Sequence, residues 1–349
     1  MKSVKCIIVG SGLSGIALAW ELYFRKVSFV IISNPTLSKS SLIAPGVWNP
    51  IVFKRLNPTW NASLLIKTLI PFYQKIENIL QQPLITSLSI FHILNSEEEK
   101  FWKTKTEYYP NYLKEIVELD KKNYHHLKNS IKFGVVEQCG RLNTSEFIYH
   151  SLSFFQSINA FVEQKFFHDN LIIKSNSVEY DNILAEKIIF CEGHLISQNP
   201  LFKNIVLKPA KGEIVEIETE TSILPENTVL HKGINIIPNG KNRYLLGSNY
   251  EWNHLNENTT EEIKDKFLSA FEEIFSCKYQ VIGHYAGIRP AADRRPIVGQ
   301  HPEYKLLLVL NGMGTKGVML APYSVQVLVD YILNNTPIDN EIDVRRFFK

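Results

Sequence analysis

An apolar run, Val4-Lys5-Cys6-Ile7-Ile8-Val9, stops at Gly10 and gives way to the helix-forming stretch of residues 16–23. A short β-branched run closed by glycine predicts a buried parallel strand, and the stretch behind it predicts a helix. The turn between them reads Gly10-Ser11-Gly12-Leu13-Ser14-Gly15. In a strand–turn–helix context these glycines have separate tasks: a tight turn at Gly10, close backbone approach to a pyrophosphate at Gly12, and close helix–strand packing at Gly15. The free N–H groups at the helix start favour an anion. A second strand is expected at residues 27–32. A dinucleotide fold calls for a carboxylate at its end to hold the ribose, but the chain has Ser33-Asn34 there, so that contact is a neutral hydrogen bond.

Further along, residues 33–57 form a long loop with Pro35, Pro45, Gly46 and Pro50, of a length usually reserved for function. Leu64, Leu65, Thr68, Leu69, Phe72, Ile76 and Leu80 recur at helical spacing through residues 61–82. Residues 84–136 are rich in Tyr, Lys and Glu and carry only short apolar runs, which suggests a separate, less regular layer. A helix follows residues 140–145, with Phe147, Ile148, Leu152 and Phe155 on one face. Strands are expected at 171–173, 187–193, 212–218 and 243–247. Thr259-Thr260-Glu261-Glu262 reads as a capping box for a helix bearing Ile263, Phe267, Phe271 and Ile274. The chain closes with a strand at 306–310, a glycine loop, and a helix from Pro322 carrying Val325, Leu328, Val329 and Ile332.

Composition narrows the class. The 349 residues suffice for two domains, and 45% hydrophobic content supports a sizeable core. A formal net charge of +3 is too small to argue for a nucleic-acid or membrane partner. No apolar run reaches the 18 residues a membrane span needs. The basic, apolar start superficially resembles a signal peptide, yet the first strand and its phosphate turn occupy it. Cys6, Cys139, Cys191 and Cys277 are scattered, without CxxC or zinc spacing, which fits a reduced cytoplasm and no metal. The adjacent His125-His126 pair would point apart on any regular element.

A second glycine cluster, Asn311-Gly312-Met313-Gly314-Thr315-Lys316-Gly317, again sits between a strand and a helix. Two such turns suit an extended cofactor with two halves to hold. A flavin ring fits the second, because its N1–C2=O edge becomes anionic on reduction. Helix-start N–H groups and Lys316 would stabilise that charge; the alternative for Lys316 is a solvated turn lysine. Upstream lies Gly287-Ile288-Arg289-Pro290, continuing to Arg295-Pro296-Ile297-Val298-Gly299. A guanidinium in such a site binds a carboxylate bidentately and keeps its charge; the alternative is a structural ion pair with Asp293.

With these motifs in place, the chain resembles the D-amino-acid-oxidase-type (DAO) FAD-dependent oxidoreductases, including glycine and sarcosine oxidases. The matching landmarks are Gly10 to Gly15, Ser40-Ser41 with Ala44-Pro45-Gly46, Gly140-Arg141-Leu142, Cys191-Glu192-Gly193, Lys211-Gly212-Glu213, Leu246-Gly247-Ser248, Gly287 to Gly299, and Asn311 to Pro322. The resemblance implies an α/β fold: a Rossmann-like FAD-binding domain of glutathione-reductase-2-like type with a mixed-sheet α+β substrate domain. The expected division is 1–80, 140–200 and 286–349 for FAD, with 81–139 and 201–285 as the substrate cap. It implies noncovalent FAD held by residues 10–15, Ser33, Asn34, Ser40, Ser41, Gly46, residues 191–193, Arg289 and residues 312–317. It also implies hydride removal from an amine-bearing carbon to flavin N5 and hydrolysis of the imine, with a small amine or amino acid as partner. Arg289 corresponds to the arginine that clamps the substrate carboxylate; Arg294 and Arg295 are expected to be solvated or bridging. Asn235 falls where glycine oxidases carry a pocket tyrosine, so the substrate need not be a small free amino acid. Trp48, Tyr250, Trp252 and Tyr285 are further pocket candidates. A tRNA wobble-base-modifying oxidase of the same family and a non-catalytic flavoprotein are the competing readings.

Overall fold

The computed structural model describes residues 1–34, 40–119 and 126–348. Pro35 of the long loop and His125 of the histidine pair lie outside them. Two large sheets carry the molecule. The first strand, Lys2–Val9, is flanked by Phe29–Ser33 and Ile183–Phe190, both parallel to it. Ile183–Phe190 in turn pairs in parallel with Leu307–Asn311. Strands buried on both faces read as the continuous apolar runs seen in the sequence. Helix Leu13–Phe24 and helix Gly317–Asn334 cover one face, and their contact places the two glycine turns side by side. Added to Gly317, a Cβ would come within 2.9 Å of Leu13 Cδ2.

The second sheet is mixed, with Tyr279–Arg289, Ala210–Thr219, Arg243–Gly247, Ile234–Pro238, Thr228–Lys232, Ile85–Ile93 and Ile131–Leu142 as successive neighbours. Val47–Trp48 joins its far end, so the long loop after the second strand crosses from one sheet to the other. Residues 140–142 and 286–289 lie in strands of this sheet.

Three expectations are corrected. Residues 84–136 are regular: helix Ser96–Tyr108 stands between two strands, and Asn95 and Glu98 form the capping box that caps it. No capping box forms at 259–262. Helix Glu261–Ile274 begins after Thr260, whose N–H and hydroxyl both donate to the buried carboxylate of Glu213, at 2.8 and 3.1 Å. A buried carboxylate outcompetes a solvated Glu262 for those donors. The last helix starts at Gly317, so Pro322 lies inside it. Proline has no N–H for the carbonyl four residues back; here that carbonyl, Val318 O, accepts from the buried Tyr73 hydroxyl at 2.9 Å instead.

Candidate active site

One cavity of about 1380 Å³ runs between the sheets. It exceeds the roughly 300–1,000 Å³ of a drug-sized pocket. Both glycine turns open onto it, through Gly10, Ser11, Gly12, Leu13 and Ser14 at one side and residues 312–317 at the other. The second turn is tied to the 191–193 segment, which borders the first: Asn311 Nδ2 donates to Gly193 O at 2.9 Å, and Cys191 O packs against Gly10.

The first turn is built as the sequence predicts. Gly10 has φ +103°, and a Cβ there would lie 2.5 Å from Cys191 O. Gly15 is not on the cavity wall. It packs the helix on the strand so closely that a Cβ would sit 2.0 Å from Gly10 O. Gly12 differs from both: the nearest atom to its added Cβ is Ser41 Oγ at 3.6 Å, so packing among the described residues does not require its bareness. Ser41 Oγ also accepts from Leu13 N–H, which fixes the opening of the long loop against the helix start. Ser33 lies on the wall, but its hydroxyl accepts from Ser11 at 2.9 Å, leaving the second-strand position neutral, as the sequence indicates. Asn34, Ser40, Gly46, Cys191 and Gly193 complete this side. Glu192 is held by His168 Nε2 (2.8 Å) and Asn199 Nδ2 (2.7 Å). Sequence reading missed His168, because its link to Glu192 joins segments 24 residues apart.

Burial decides the chemistry of the second turn. Lys316 Nζ donates to the main-chain and side-chain oxygens of Asn49, at 3.0 and 3.4 Å. Desolvation lowers its pKa to about 8. It is therefore no solvated turn lysine but a weakly held cation against the cavity.

Arg289 lies on the substrate-side sheet and, among the described residues, has no carboxylate partner. It donates to Ser248 Oγ at 2.6 Å, to Asn249 O at 3.1 Å and to Lys211 O at 3.4 Å, all neutral. Burial pushes its pKa down, though a guanidinium stays charged. Asp293, the alternative partner, pairs with Arg346. Gly212 makes the floor for the guanidinium; a Cβ there would fall 1.8 Å from one of its nitrogens. Tyr250 forms the roof, its ring centroid 4.9 Å from the guanidinium carbon, and Trp252 stacks beside it. The residues either side of Gly212 anchor this roof. Lys211 and Glu213 are only 2% and 1% exposed. Lys211 exchanges backbone hydrogen bonds with Glu251, and its Nζ donates to Asn258 O. Glu213 takes the Thr260 donors, and its own N–H goes to Asn249.

Asn235 also lines the cavity, bonded to His231. Trp48 does not. It is 4% exposed, its ring lies on Gly140, and its Nε1 donates to Gln138 O. Tyr285 is likewise off the wall, an exposed residue of the edge strand that donates to Glu216. Arg294 reaches the cavity rim, whereas Arg295 pairs with Glu341 and stacks on Trp60. Among the described residues no cluster could hold a metal ion, no helix is long and apolar enough to cross a membrane, and all four cysteines are free thiols.

A sheet with a parallel centre and antiparallel strands at its margins, a glycine turn at the carboxyl edge of that centre, and a mixed sheet closing over one elongated cavity together define a dinucleotide-binding fold. The family model for FAD-dependent oxidoreductases (DAO) matches residues 5–331, and the chain belongs to that family. It is 27% identical to a glycine oxidase from Pseudomonas aeruginosa over 45% of this chain and 44% of that one, and so spans under half the length of this relative. A tRNA 5-methylaminomethyl-2-thiouridine biosynthesis bifunctional protein from Acinetobacter baylyi is 23% identical over 98% of this chain and 56% of its own length. In structure the chain is similar to an iminodiacetate oxidase from Chelativorans sp. BNC1, with a TM-score of 0.80, 17% identity, and coverage of 97% and 98% of the two chains; that likeness is one of fold.

Proposed function

We propose that this chain oxidises the C–N bond of an amine or amino acid that carries a carboxylate, with noncovalently bound FAD as the acceptor. The observation that carries the reading is Arg289: a largely buried cation on neutral partners, facing the cavity that both glycine turns share. A guanidinium with neutral partners retains its attraction for an anionic ligand. The residues present fit the cofactor. Gly12 leaves room for a pyrophosphate where a Cβ would meet only Ser41, and the cavity continues from there to Lys316. Residues 10–14 would hold the pyrophosphate, Ser33 and Asn34 the ribose side, and residues 312–317 the ring. Bound FAD supplies the hydride acceptor.

The chain's own residues bind and orient. Arg289 takes the carboxylate and fixes the amine-bearing carbon relative to the ring. Tyr250 stacks over the guanidinium with Trp252 alongside, both rings still half open to solvent. Lys316 places a proton-bearing cation near the second helix start, where negative charge is stabilised. No side-chain base is needed when the amine enters neutral, and the imine product hydrolyses in water. The division into a cofactor part (1–80, 140–200, 286–349) and a substrate part (81–139, 201–285) belongs to the same proposal. Four free thiols are in keeping with a reducing, cytoplasmic setting. The test is direct: purified protein carries FAD released by denaturation, and amino-carboxylates bleach it anaerobically. Protein that binds FAD but is bleached by none of a broad amine panel would refute the activity.

A further inference from the structure

A row of side chains crosses the substrate-side sheet: His92, His231, Asn235, Gly247 and Ile214 are successive partners on five neighbouring strands. His231 sits in a three-ring cluster, its centroid 4.2 Å from Phe53 and 5.1 Å from His92, which are themselves 5.0 Å apart. Its Nδ1 lies 3.0 Å from Asn235 Oδ1. Desolvation and the neighbouring His92 lower the His231 pKa to about 4, so the ring is neutral and carries one proton. With Asn235 Oδ1 as acceptor, that proton sits on Nδ1. The stack then fixes the imidazole, and the imidazole fixes the amide. Among the described residues nothing accepts from Asn235 Nδ2, and Asn235 lines the cavity.

The row also sets a distance. Arg289's guanidinium lies over Gly212, two residues from Ile214 on the same strand and on the same face. Asn235 stands two strands away, about 10 Å across the sheet by ordinary strand spacing. Between them Gly247 carries no side chain, and Ile214 Cδ1 lies 2.7 Å from where a Cβ would stand, so the floor between the two polar groups is apolar. Glycine or a simple N-methyl amino acid spans only part of that width.

We propose that the Asn235 amide, oriented by His231, is a second substrate-recognition point, and that the substrate is an amino-carboxylate bearing a further hydrogen-bond acceptor, such as a second carboxylate or a carbonyl, beyond its amine. The inference rests on the proposed function for the first recognition point, Arg289. A site built to donate to a substrate acceptor leaves that donor unpaired when the acceptor is missing, and this is a strong basis for discrimination.

Sulfur analogues that undergo no C–N oxidation test recognition apart from turnover. Thiodiacetate carries two carboxylates and (methylthio)acetate carries one; both are titrated into FAD-loaded protein and read by the flavin absorbance shift and by calorimetry. Wild type should bind thiodiacetate at least about 10-fold more tightly, a difference of about 1.4 kcal/mol. Asn235→Asp keeps the shape, removes the donors and adds a like charge, so the ratio should fall to near one or below. His231→Phe keeps a stacking ring but frees the amide to rotate, and should give an intermediate ratio. Retained FAD content and a cooperative denaturation transition in both variants serve as the folding control. Equal affinity for the two probes in wild type, or a preference that survives Asn235→Asp, overturns the proposal. Failure of every amine to bleach the flavin would refute the oxidation and leave these binding ratios intact.

Discussion

The two sides of the cavity are made of different material. On the side of the glycine turns the wall is largely backbone: glycines at 10, 12, 312 and 314 expose main-chain groups to the cavity, and the side chains next to the first turn (Ser11, Ser14, Ser33, Ser41) are small and neutral. The substrate side is side chain: Arg289, Asn235, His231 and Tyr250 project from a sheet and are held by other side chains. At Gly10 and Gly15 a Cβ would meet fixed backbone at 2.5 and 2.0 Å, so those positions tolerate no other residue. The side-chain wall can be altered residue by residue, so specificity is free to change there while the cradle stays constant.

Glycine substitutions break this comparison most sharply. Gly15→Ala forces a Cβ to 2.0 Å from a backbone oxygen and should cost about 3 kcal/mol or more, read as a large drop in the denaturation midpoint. Gly12→Ala meets only an ordinary contact at 3.6 Å, so its apo stability should be kept while bound FAD is lost. Equal destabilisation by both would mean that Gly12 serves the fold and not a ligand. On the opposite wall, Arg289→Ala should lower kcat/KM for a carboxylate-bearing amine about 100-fold, mostly through KM, with FAD content unchanged. Unaltered kinetics would make the arginine a purely structural tie to the 248–250 segment.

Lys316 stands between the two walls and gives a smaller, pH-dependent effect. Its folded pKa of about 8 lies below the unfolded 10.5, so between these values the unfolded chain binds more protons. Stability of the FAD-free protein should therefore rise with pH across that window, by about 3 kcal/mol in total. The increment is the difference between wild type and Lys316→Met measured at each pH. Turnover should fall as pH rises through about 8, where the cation is lost, and Lys316→Met should lack this limb. Smallest is Trp48→Phe. The ring packs on Gly140 away from the cavity, so about 1–2 kcal/mol of stability is lost with kinetics unchanged. A changed KM would return Trp48 to the site.

How much was legible in the sequence follows the same division. The strand–turn–helix at each glycine cluster is local, set by periodicity and by the conformational freedom of a few residues, and both clusters appear where expected. Helix starts were less legible where a distant group intervened. Glu213 takes the donors at Thr260, and Tyr73 satisfies the carbonyl that Pro322 leaves open. Neither partner is near in sequence, so no local rule finds it. The same reason hid His168, 24 residues from Glu192, and the Lys211–Glu213 anchors of the Tyr250 loop.

By itself, the sequence determined a glycine turn between strand and helix near each end of the chain, because short-range sterics write such turns directly into residue type; the role of Arg289 it offered only through the family resemblance. Only the tertiary structure decided that the two turns meet, that Arg289 rests on neutral partners, that Trp48 belongs to the core, and that His231 bonds Asn235. Those facts depend on which strands become neighbours, and long-range pairing brings together groups whose chemistry cannot be read one segment at a time.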